Sequence, residues 1–134
     1  MFSVQTTNVY VLSNRQILLI RRSPEDESKA LWWESPSGHV DVLCQAIDSH
    51  KVRREALREL FEETGINTST SSLRHLPSLS TSRHMSYALH LKKRRPNITL
   101  SEEHCSYLWL TIGDPPPKNT RYEVRRFLRD ILSV

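Results

Sequence analysis

Two runs of β-forming residues near the amino terminus predict a hairpin. Residues 3–12 and 16–21 are rich in branched and aromatic side chains, which favour strands. The polar segment 13–15 between them predicts a tight turn. A polar loop is expected over residues 22–30, and a short strand follows at residues 31–34. This part of the chain is therefore expected to supply strands to a sheet.

A helical pattern extends from about residue 49 to residue 64. Ser49 is a suitable N-cap, and Gly65 is well placed to end the helix in a left-handed conformation. The apolar face holds Ala56, Leu57, Leu60, Phe61 and Thr64, and the opposite face or its border holds Glu55, Glu59, Glu62 and Glu63. Before the helix, residues 37–38 predict a turn, and residues 39–50 predict a loop because they show no strong period.

The second half of the chain predicts more strands and a terminal helix. Strands are expected at residues 73–80, 84–92 and 107–111, with 97–100 extending the second hairpin, and a helix at 122–132. Helices interspersed with strands and hairpins predict an α/β fold. We expect a mixed sheet with helices on both of its faces.

Length and charge narrow the picture further. The 134 residues suit a single domain spanning residues 1–134. The net charge of +4 favours a polyanionic ligand, although a mildly basic protein without one is an equal alternative. The dense basic run at residues 92–95 predicts a solvated turn rather than a nucleic-acid patch. Cys44 and Cys105 are expected to be free thiols.

No signal for export or membrane insertion is visible. No apolar run reaches the roughly 20 residues that span a bilayer. The amino terminus does not resemble a signal peptide. We therefore expect a cytoplasmic location and no membrane partner.

The acidic helix carries the strongest chemical signal. Glu59 and Glu63 are spaced i, i+4, a repulsion that destabilises an isolated helix. Arg58 can pair with Glu62, but no residue of the helix is expected to neutralise Glu59 and Glu63. Magnesium would do so, because it prefers carboxylate oxygens combined with substrate phosphates. The alternative is a solvated charged face with no ligand.

Arg58 to Ile66, read as R-E-L-F-E-E-T-G-I, resembles the Nudix signature G-x5-E-x7-R-E-U-x-E-E-x-G-U in its second half. The segment 35–41 is similar to its opening turn, and the ILLIRR strand and Trp33 also have counterparts in such proteins. Residues 100–110 resemble a later E-H-x-x-x-x-W-L segment of Nudix nucleotide hydrolases. The resemblance implies an α/β/α sandwich with a mixed sheet and the catalytic helix in a loop-helix-loop.

The chain departs from the signature at one place. The distance from Gly38 to Arg58 is six residues longer than the signature allows. No glutamate stands at its first Glu position, and Asp41 and Asp48 are the acids available in that segment.

The resemblance also implies roles for individual residues. The implied metal ligands are Glu59, Glu62, Glu63 and Glu103, together with a main-chain carbonyl of Ser37 or Gly38. Glu59 is the implied catalytic base, with Glu103 as the alternative, and Arg58 orients the acidic cluster. Arg21 and Arg22 are candidates to bind a phosphate, and Trp33 is a candidate to stack on a base. The expected cofactor is Mg²⁺, with Mn²⁺ as an alternative.

These features predict a pyrophosphohydrolase that acts on a nucleoside di- or triphosphate, or on a nucleoside diphosphate linked to another moiety. Two alternatives stay open: an mRNA-decapping enzyme that binds an RNA 5′ end, and a non-catalytic module that senses a nucleotide. The intact Glu59, Glu62 and Glu63 set argues against the non-catalytic alternative. A homodimer is also open, and a bare RNA-binding domain is the weakest alternative.

Overall fold

A computed structural model describes residues 2–46 and 48–132 of the chain. Within these ranges seven strands and two α-helices follow one another. They are β1 (Phe2–Ser13), β2 (Gln16–Arg22), β3 (Trp33–Glu34), β4 (Ser37–Cys44), α1 (His50–Thr64), β5 (Leu73–His75), β6 (His84–His90), β7 (His104–Thr111) and α2 (Tyr122–Leu132). Two single-turn 3₁₀ helices flank β5, at Thr70–Ser72 and Pro77–Leu79.

Strand β1 lies at the centre of one mixed sheet. It runs antiparallel to β2 and β4 on one edge and parallel to β6 on the other. Strand β2 extends the sheet by pairing with β3 and with β7. Residues Asn14 and Arg15 both have positive φ in the turn between β1 and β2, as a tight hairpin turn requires. The mixed sheet predicted from the sequence is confirmed.

The two faces of the sheet carry separate hydrophobic cores. Alternate residues of a strand point to opposite faces, so Val9 and Val11 of β1 enter one core and Tyr10 and Leu12 enter the other. Helix α1 covers the first core with Val52, Ala56 and Leu60. Helix α2 covers the second with Val124, Phe127 and Leu128, and Phe127 stacks on Tyr10 with ring centroids 4.1 Å apart. This is the α/β/α sandwich expected from the sequence.

The ends of α1 are those that the sequence predicts. The Ser49 side chain accepts the main-chain N–H of Val52, and Gly65 ends the helix at φ 79°. The distribution of residues around the helix differs from the prediction at two positions. Phe61 is exposed, and Glu63 is buried, because the edge of α1 that bears Glu63 faces the sheet rather than solvent.

The predicted loop at residues 39–50 is wrong, and so is the predicted turn at residues 37–38. Residues 37–44 form β4, which pairs with β1 along residues 2–8. Between β4 and α1 the structure describes residues 45–46 and 48–49, which belong to neither element.

Three smaller differences concern the second half of the chain. Strand β5 ends at His75, and the 3₁₀ turn at Pro77–Leu79 occupies part of the segment that was predicted to be extended. Residues 97–100 form no strand; instead the N–H of Thr99 donates to the carbonyl of Thr64 at the end of α1. Cys44 and Cys105 are free thiols, as expected. Neither of the helices in the described part of the chain has the length and apolar character needed to cross a membrane.

Candidate active site

The carboxyl-terminal half of α1 presents acidic side chains to the beginning of β4. The main-chain N–H of Ser37 donates to Oε1 of Glu63 at 2.8 Å. Gly38 lies directly against Glu59: a Cβ at this position would be 2.5 Å from Oε2 of Glu59 and closer still to its Cγ and Cδ. Only glycine leaves space for that side chain. The first two residues of β4 therefore fix the positions of both carboxylates.

Arg58 links the carboxylates along the outer side of the helix. Its guanidinium donates to Glu55 at 2.6 Å, to Glu62 at 2.8 Å and to Glu59 at 3.0 Å. The hydrogen bonds to Glu55 and Glu62 raise the pKa of Arg58. The expectation that nothing on the helix would neutralise Glu59 is thus wrong, because Arg58 contacts both Glu59 and Glu62. Glu63 lies away from this guanidinium, on the buried side.

Glu63 belongs to a buried group of three side chains, together with Glu34 and His104. Nε2 of His104 is 2.8 Å from Oε2 of Glu34, and Nδ1 of His104 is 4.0 Å from Oε2 of Glu63. Ligand atoms of Glu34, Glu63 and His104 all lie within 4.8 Å of one another. Glu34 and His104 are not among the site residues predicted from the sequence. A glutamate in a short buried strand and a histidine within the E-H-x-x-x-x-W-L segment were the available signals.

Crowding of carboxylates in a buried place shifts their ionisation. Burial raises the pKa of Glu63 to about 8, and the neighbouring charges of Glu34, Glu103 and Glu59 add to the rise, while the Ser37 N–H opposes it. Burial also raises the pKa of Glu59. Each shift reflects an anion deprived of water. A cation bound between these groups would relieve the cost.

Glu103 reaches the same site from the turn before β7. Its charge adds to the burial that raises the pKa of both Glu59 and Glu63. The main-chain carbonyl of Glu103 accepts the N–H of Ser23, which holds the turn against the loop that follows β2. Four of the acidic residues singled out from the sequence are thus in one region: Glu59, Glu62, Glu63 and Glu103.

A cavity of about 290 Å³ opens beside the acidic group, and its lining includes Gly38, Arg22 and Arg121. The two arginines converge on Oε1 of Glu34, Arg22 through Nε at 3.1 Å and Arg121 at 3.5 Å. A second hydrogen bond holds Arg22 to Asp26 at 2.8 Å. The cavity lining therefore combines two guanidinium groups and their partner Glu34 with Ser37 and Gly38, the residues that contact Glu63 and Glu59.

Polar side chains of β1 and β6 form another wall of the cavity. Thr6 hydrogen-bonds to Nδ1 of His84 at 2.6 Å, and Nε2 of His84 lies 3.1 Å from Oδ1 of Asn8. Burial lowers the pKa of His84, so the neutral imidazole is favoured. The buried hydroxyl of Thr7 has no hydrogen-bond partner within the described ranges. This wall offers hydrogen-bonding groups to a polar ligand.

The sequence model of the NUDIX domain matches residues 3–131. The chain belongs to the Nudix family. Family membership confirms the resemblance seen in the signature and, with it, the predicted class of enzyme, a pyrophosphohydrolase. A comparison with curated protein sequences returns no match.

Solved Nudix structures share the fold. A MutT NUDIX hydrolase from Burkholderia pseudomallei is 22% identical over 94% of this chain and 95% of its own, with a TM-score of 0.66. The NUDIX domain of Shewanella oneidensis NrtR, complexed with ADP ribose, is 16% identical over 97% and 86%, with a TM-score of 0.67. An Ap4A hydrolase from C. elegans is 18% identical over 97% and 96%, with a TM-score of 0.61. At these identities the likeness concerns the fold.

The acidic residues of the Nudix signature fit a divalent cation. Hard cations such as Mg²⁺ take carboxylate and carbonyl oxygens, which Glu59, Glu63 and the start of β4 supply side by side. The pKa values of Glu59 and Glu63 are raised because burial disfavours their ionised forms, which a bound cation would stabilise. Glu62 is more exposed than Glu59, with half of its side chain open to solvent. It is therefore placed at the outer edge of the group.

The structure does not bring two of the proposed substrate residues to the cavity. Trp33 packs against the core beneath α2, and its main chain pairs with residues 119–121. The guanidinium of Arg21 lies over the Trp33 ring at 5.4 Å and donates to the carbonyl of Leu31. Arg22 does line the cavity. Base stacking by Trp33 and phosphate binding by Arg21 stay predictions.

Proposed function

We propose that the protein hydrolyses the pyrophosphate bond of a nucleoside di- or triphosphate, or of a nucleoside diphosphate linked to another moiety, with Mg²⁺ as cofactor. The observation that carries the proposal is the contact of Gly38 and Ser37 with Glu59 and Glu63 at the rim of a cavity that Arg22 also lines. The two residues that contact the proposed metal ligands thus line the same cavity as a guanidinium group that could bind a phosphate. Mn²⁺ is the alternative metal.

The charges around the cavity support the proposed class of substrate. A pyrophosphate is a dense polyanion, and guanidinium groups bind phosphate oxygens in pairs. Arg22 and Arg121 occupy the cavity wall but are held by Glu34, so an incoming phosphate competes with a carboxylate for them. The polar wall of Thr7, Asn8 and His84 would then contact the remaining part of the substrate.

The Nudix signature and the contacts of α1 with β4 support a role for each residue. Glu59, Glu63 and Glu103 would hold the cation, with Glu62 assisting and a main-chain carbonyl of Ser37 or Gly38 completing the set. When bound, a divalent cation neutralises phosphate charge and lowers the pKa of a coordinated water. Glu59 accepts the proton from the attacking water, with Glu103 as the alternative base. Arg58 positions Glu59 and Glu62 and does not touch the substrate.

The test is a matched pair of substitutions assayed on a panel of substrates. Nucleotides, dinucleoside polyphosphates, nucleotide sugars and capped RNA are incubated with Mg²⁺ and the wild-type chain, Glu59→Gln or Glu55→Gln. Glu55 is the control, because it lies one turn earlier and bonds to the same Arg58. We expect Glu59→Gln to lose about 100-fold or more of kcat, the usual contribution of a general base. Glu55→Gln should lose less than about threefold.

The outcomes separate the alternatives. No turnover of any substrate would overturn the enzymatic proposal and favour a nucleotide-sensing module. Equal losses in Glu59→Gln and Glu55→Gln would remove Glu59 from the chemistry. Turnover of capped RNA alone would replace the proposal by mRNA decapping. A homodimer, a cytoplasmic location, binding of an RNA 5′ end and a single domain over residues 1–134 stay predictions.

A further inference from the structure

His104 occupies a place that the proposed function leaves unexplained. It is the first residue of β7, and 1% of its side chain is exposed. Its Nε2 lies 2.8 Å from Oε2 of Glu34, a carboxylate that is itself buried. A carboxylate accepts hydrogen bonds and does not donate them when ionised. Nε2 of His104 therefore carries the hydrogen and donates it to Glu34.

The other ring nitrogen has no such partner. Nδ1 of His104 is buried and forms no hydrogen bond with any of the described residues. The atom that it faces is Oε2 of Glu63, at 4.0 Å. This distance is too long for a hydrogen bond. A buried polar atom without a partner is costly, and here the unpartnered atom is a ring nitrogen 4.0 Å from a carboxylate oxygen.

One divalent cation can bridge these two atoms. Ligand distances of about 2.1 Å to nitrogen and to oxygen allow a single ion to join atoms up to roughly 4.2 Å apart. The separation of Nδ1 and Oε2 falls inside that limit. Oε1 of Glu63 is already engaged by Ser37, which leaves Oε2 as the oxygen available on that side chain.

Glu34 is placed to orient the imidazole rather than to bind the ion. Its Oε1 receives Arg22 at 3.1 Å and Arg121 at 3.5 Å, and its Oε2 receives His104. Both oxygens thus have donors. A histidine that binds a metal through one nitrogen usually donates the other N–H to a carboxylate, which fixes the tautomer and strengthens the ligand.

We propose that Nδ1 of His104 and Oε2 of Glu63 bind one divalent cation, with Glu34 holding the imidazole in the binding tautomer. A nitrogen ligand favours first-row transition ions over Mg²⁺, which prefers oxygen. The site therefore favours an ion such as Co²⁺ or Zn²⁺ at this position, and Mn²⁺ serves as a paramagnetic probe of the same ligands. The inference rests on the proposed function, because Glu63 is common to both.

The experiment measures metal binding and involves no substrate. Mn²⁺ is added to the metal-free chain, and pulsed electron paramagnetic resonance records whether a ¹⁴N nucleus is coupled to the ion. Three samples are compared: wild type, His104→Gln and His39→Gln. Glutamine at position 104 can still donate to Glu34 but has no atom at the place of Nδ1. His39, a histidine that lines the neighbouring cavity, is the control.

We expect ¹⁴N coupling in the wild type and in His39→Gln, and its loss in His104→Gln. Replacing ¹⁴N by ¹⁵N in all histidines should convert the wild-type signal to ¹⁵N coupling. His104→Gln should also lower Co²⁺ affinity by about tenfold or more, the scale on which groups around a metal act. Its Mg²⁺ affinity should change by less than about threefold, since an oxygen-preferring ion gains little from imidazole.

Absence of histidine nitrogen coupling in the wild type would overturn the inference, as would its persistence in His104→Gln. If His104→Gln does not fold, the five other histidines are replaced singly. Survival of the coupling in all five then assigns it to His104, and loss in any one of them overturns the assignment. Turnover without nitrogen coupling would contradict only this inference. Coupling in a chain that hydrolyses nothing would contradict only the proposed function.

Discussion

Oε1 of Glu63 accepts the main-chain N–H of Ser37 at 2.8 Å, which joins the last turn of α1 to the first residue of β4. The next residue, Gly38, contacts Glu59 of the same helix. Two carboxylates one turn apart are therefore held by two consecutive residues of one strand. Ser37 supplies a hydrogen-bond donor. Gly38 has no side chain and so leaves space for Glu59.

Replacing Gly38 by alanine should disable the site. The new Cβ would overlap the Glu59 side chain, so the carboxylate must leave its place. We expect kcat to fall about 100-fold or more, as for loss of a general base. The free energy of unfolding should fall by about 1–3 kcal/mol, the cost of overpacking. Activity assays and chemical denaturation measure the two effects.

Ser37→Ala is the control for that substitution. It lies next to Gly38 and keeps the main-chain carbonyl of residue 37 and the main-chain N–H that donates to Glu63. Its activity should stay within about threefold of wild type and its stability within about 0.5 kcal/mol. Wild-type activity in Gly38→Ala would show that activity does not depend on the place that the Glu59 carboxylate occupies beside Gly38.

Arg58→Gln should lower activity with little loss of stability. Arg58 donates to Glu55, Glu59 and Glu62, so its removal frees carboxylates that surround the proposed cation. We expect kcat/KM to fall about 10- to 100-fold, the range seen when groups that orient metal ligands are removed. Exposed ion pairs stabilise by less than about 1 kcal/mol each, so the unfolding free energy should change little.

Arg54→Gln provides the comparison for Arg58→Gln, since Arg54 is exposed on the same helix one turn earlier. Its kcat/KM should match that of the wild type. Similar losses at both positions would mean that net positive charge, and not the contacts of Arg58, sustains activity.

Asp48→Asn should destabilise the loop before α1. Both carboxylate oxygens of Asp48 accept from Arg53 at 2.8 Å, and Tyr87 donates to one of them at 3.1 Å. Arg53 lowers the pKa of Asp48 through these bonds, against the burial that would raise it. The neutral amide cannot accept both guanidinium hydrogens. We expect a loss of about 1–2 kcal/mol in unfolding free energy, since hydrogen bonds to charged groups are each worth about 1.5–3 kcal/mol when buried and less when partly exposed.

The same substitution at Asp41 is the control, because Asp41 is exposed in β4 and has a positive φ that asparagine tolerates well. Denaturant titrations of both variants should separate them by at least about 1 kcal/mol. Equal stabilities would show that the Asp48–Arg53 pair contributes nothing net.

His84 should make folding sensitive to mild acid. Burial lowers the pKa of its imidazole below the usual 6.5, so the folded state binds this proton less readily than the unfolded state. Stability from His84 is then complete above the unfolded pKa of about 6.5 and falls as the pH drops through the folded pKa. The midpoint of thermal unfolding should decline more steeply below pH 6.5 in the wild type than in His84→Asn.

His90→Asn should retain the wild-type slope, because His90 is exposed at the end of β6. Parallel curves for wild type and His84→Asn would assign the acid sensitivity to another group.

Local signals in the sequence are sufficient for α1 and for the first hairpin. The helix has its own cap at Ser49 and its own stop at Gly65, both within the segment itself. Strand β4 carries no such signal. It is extended because it pairs with β1, where Ser3 lies opposite Leu43 although it comes more than 30 residues earlier in the chain. Strand preference depends on such partners more than on the strand's own residues.

The site divides in the same way. Glu59 and Glu63 could be found because they belong to one signature on one helix. Glu34 and His104 could not be found in this way. Their contact depends on the packing of β3 and β7, which bring together two residues 70 positions apart in the chain. Burial of Glu63 was also hidden: helical periodicity places it at the edge of the acidic face, and only the packing of the sheet determines that water is excluded from it.

The parallel pairing of β1 with β6 has a consequence for how the chain folds. Thr6 and His84 are neighbours in the sheet although 78 residues separate them. During synthesis, the second edge of β1 has no partner until most of the chain has emerged. Non-local pairing of this kind slows folding, and an uncovered strand edge recruits other chains. The yield of folded protein at high expression temperature should therefore be limited by the time before β6 pairs with β1, rather than by the stability of the folded state.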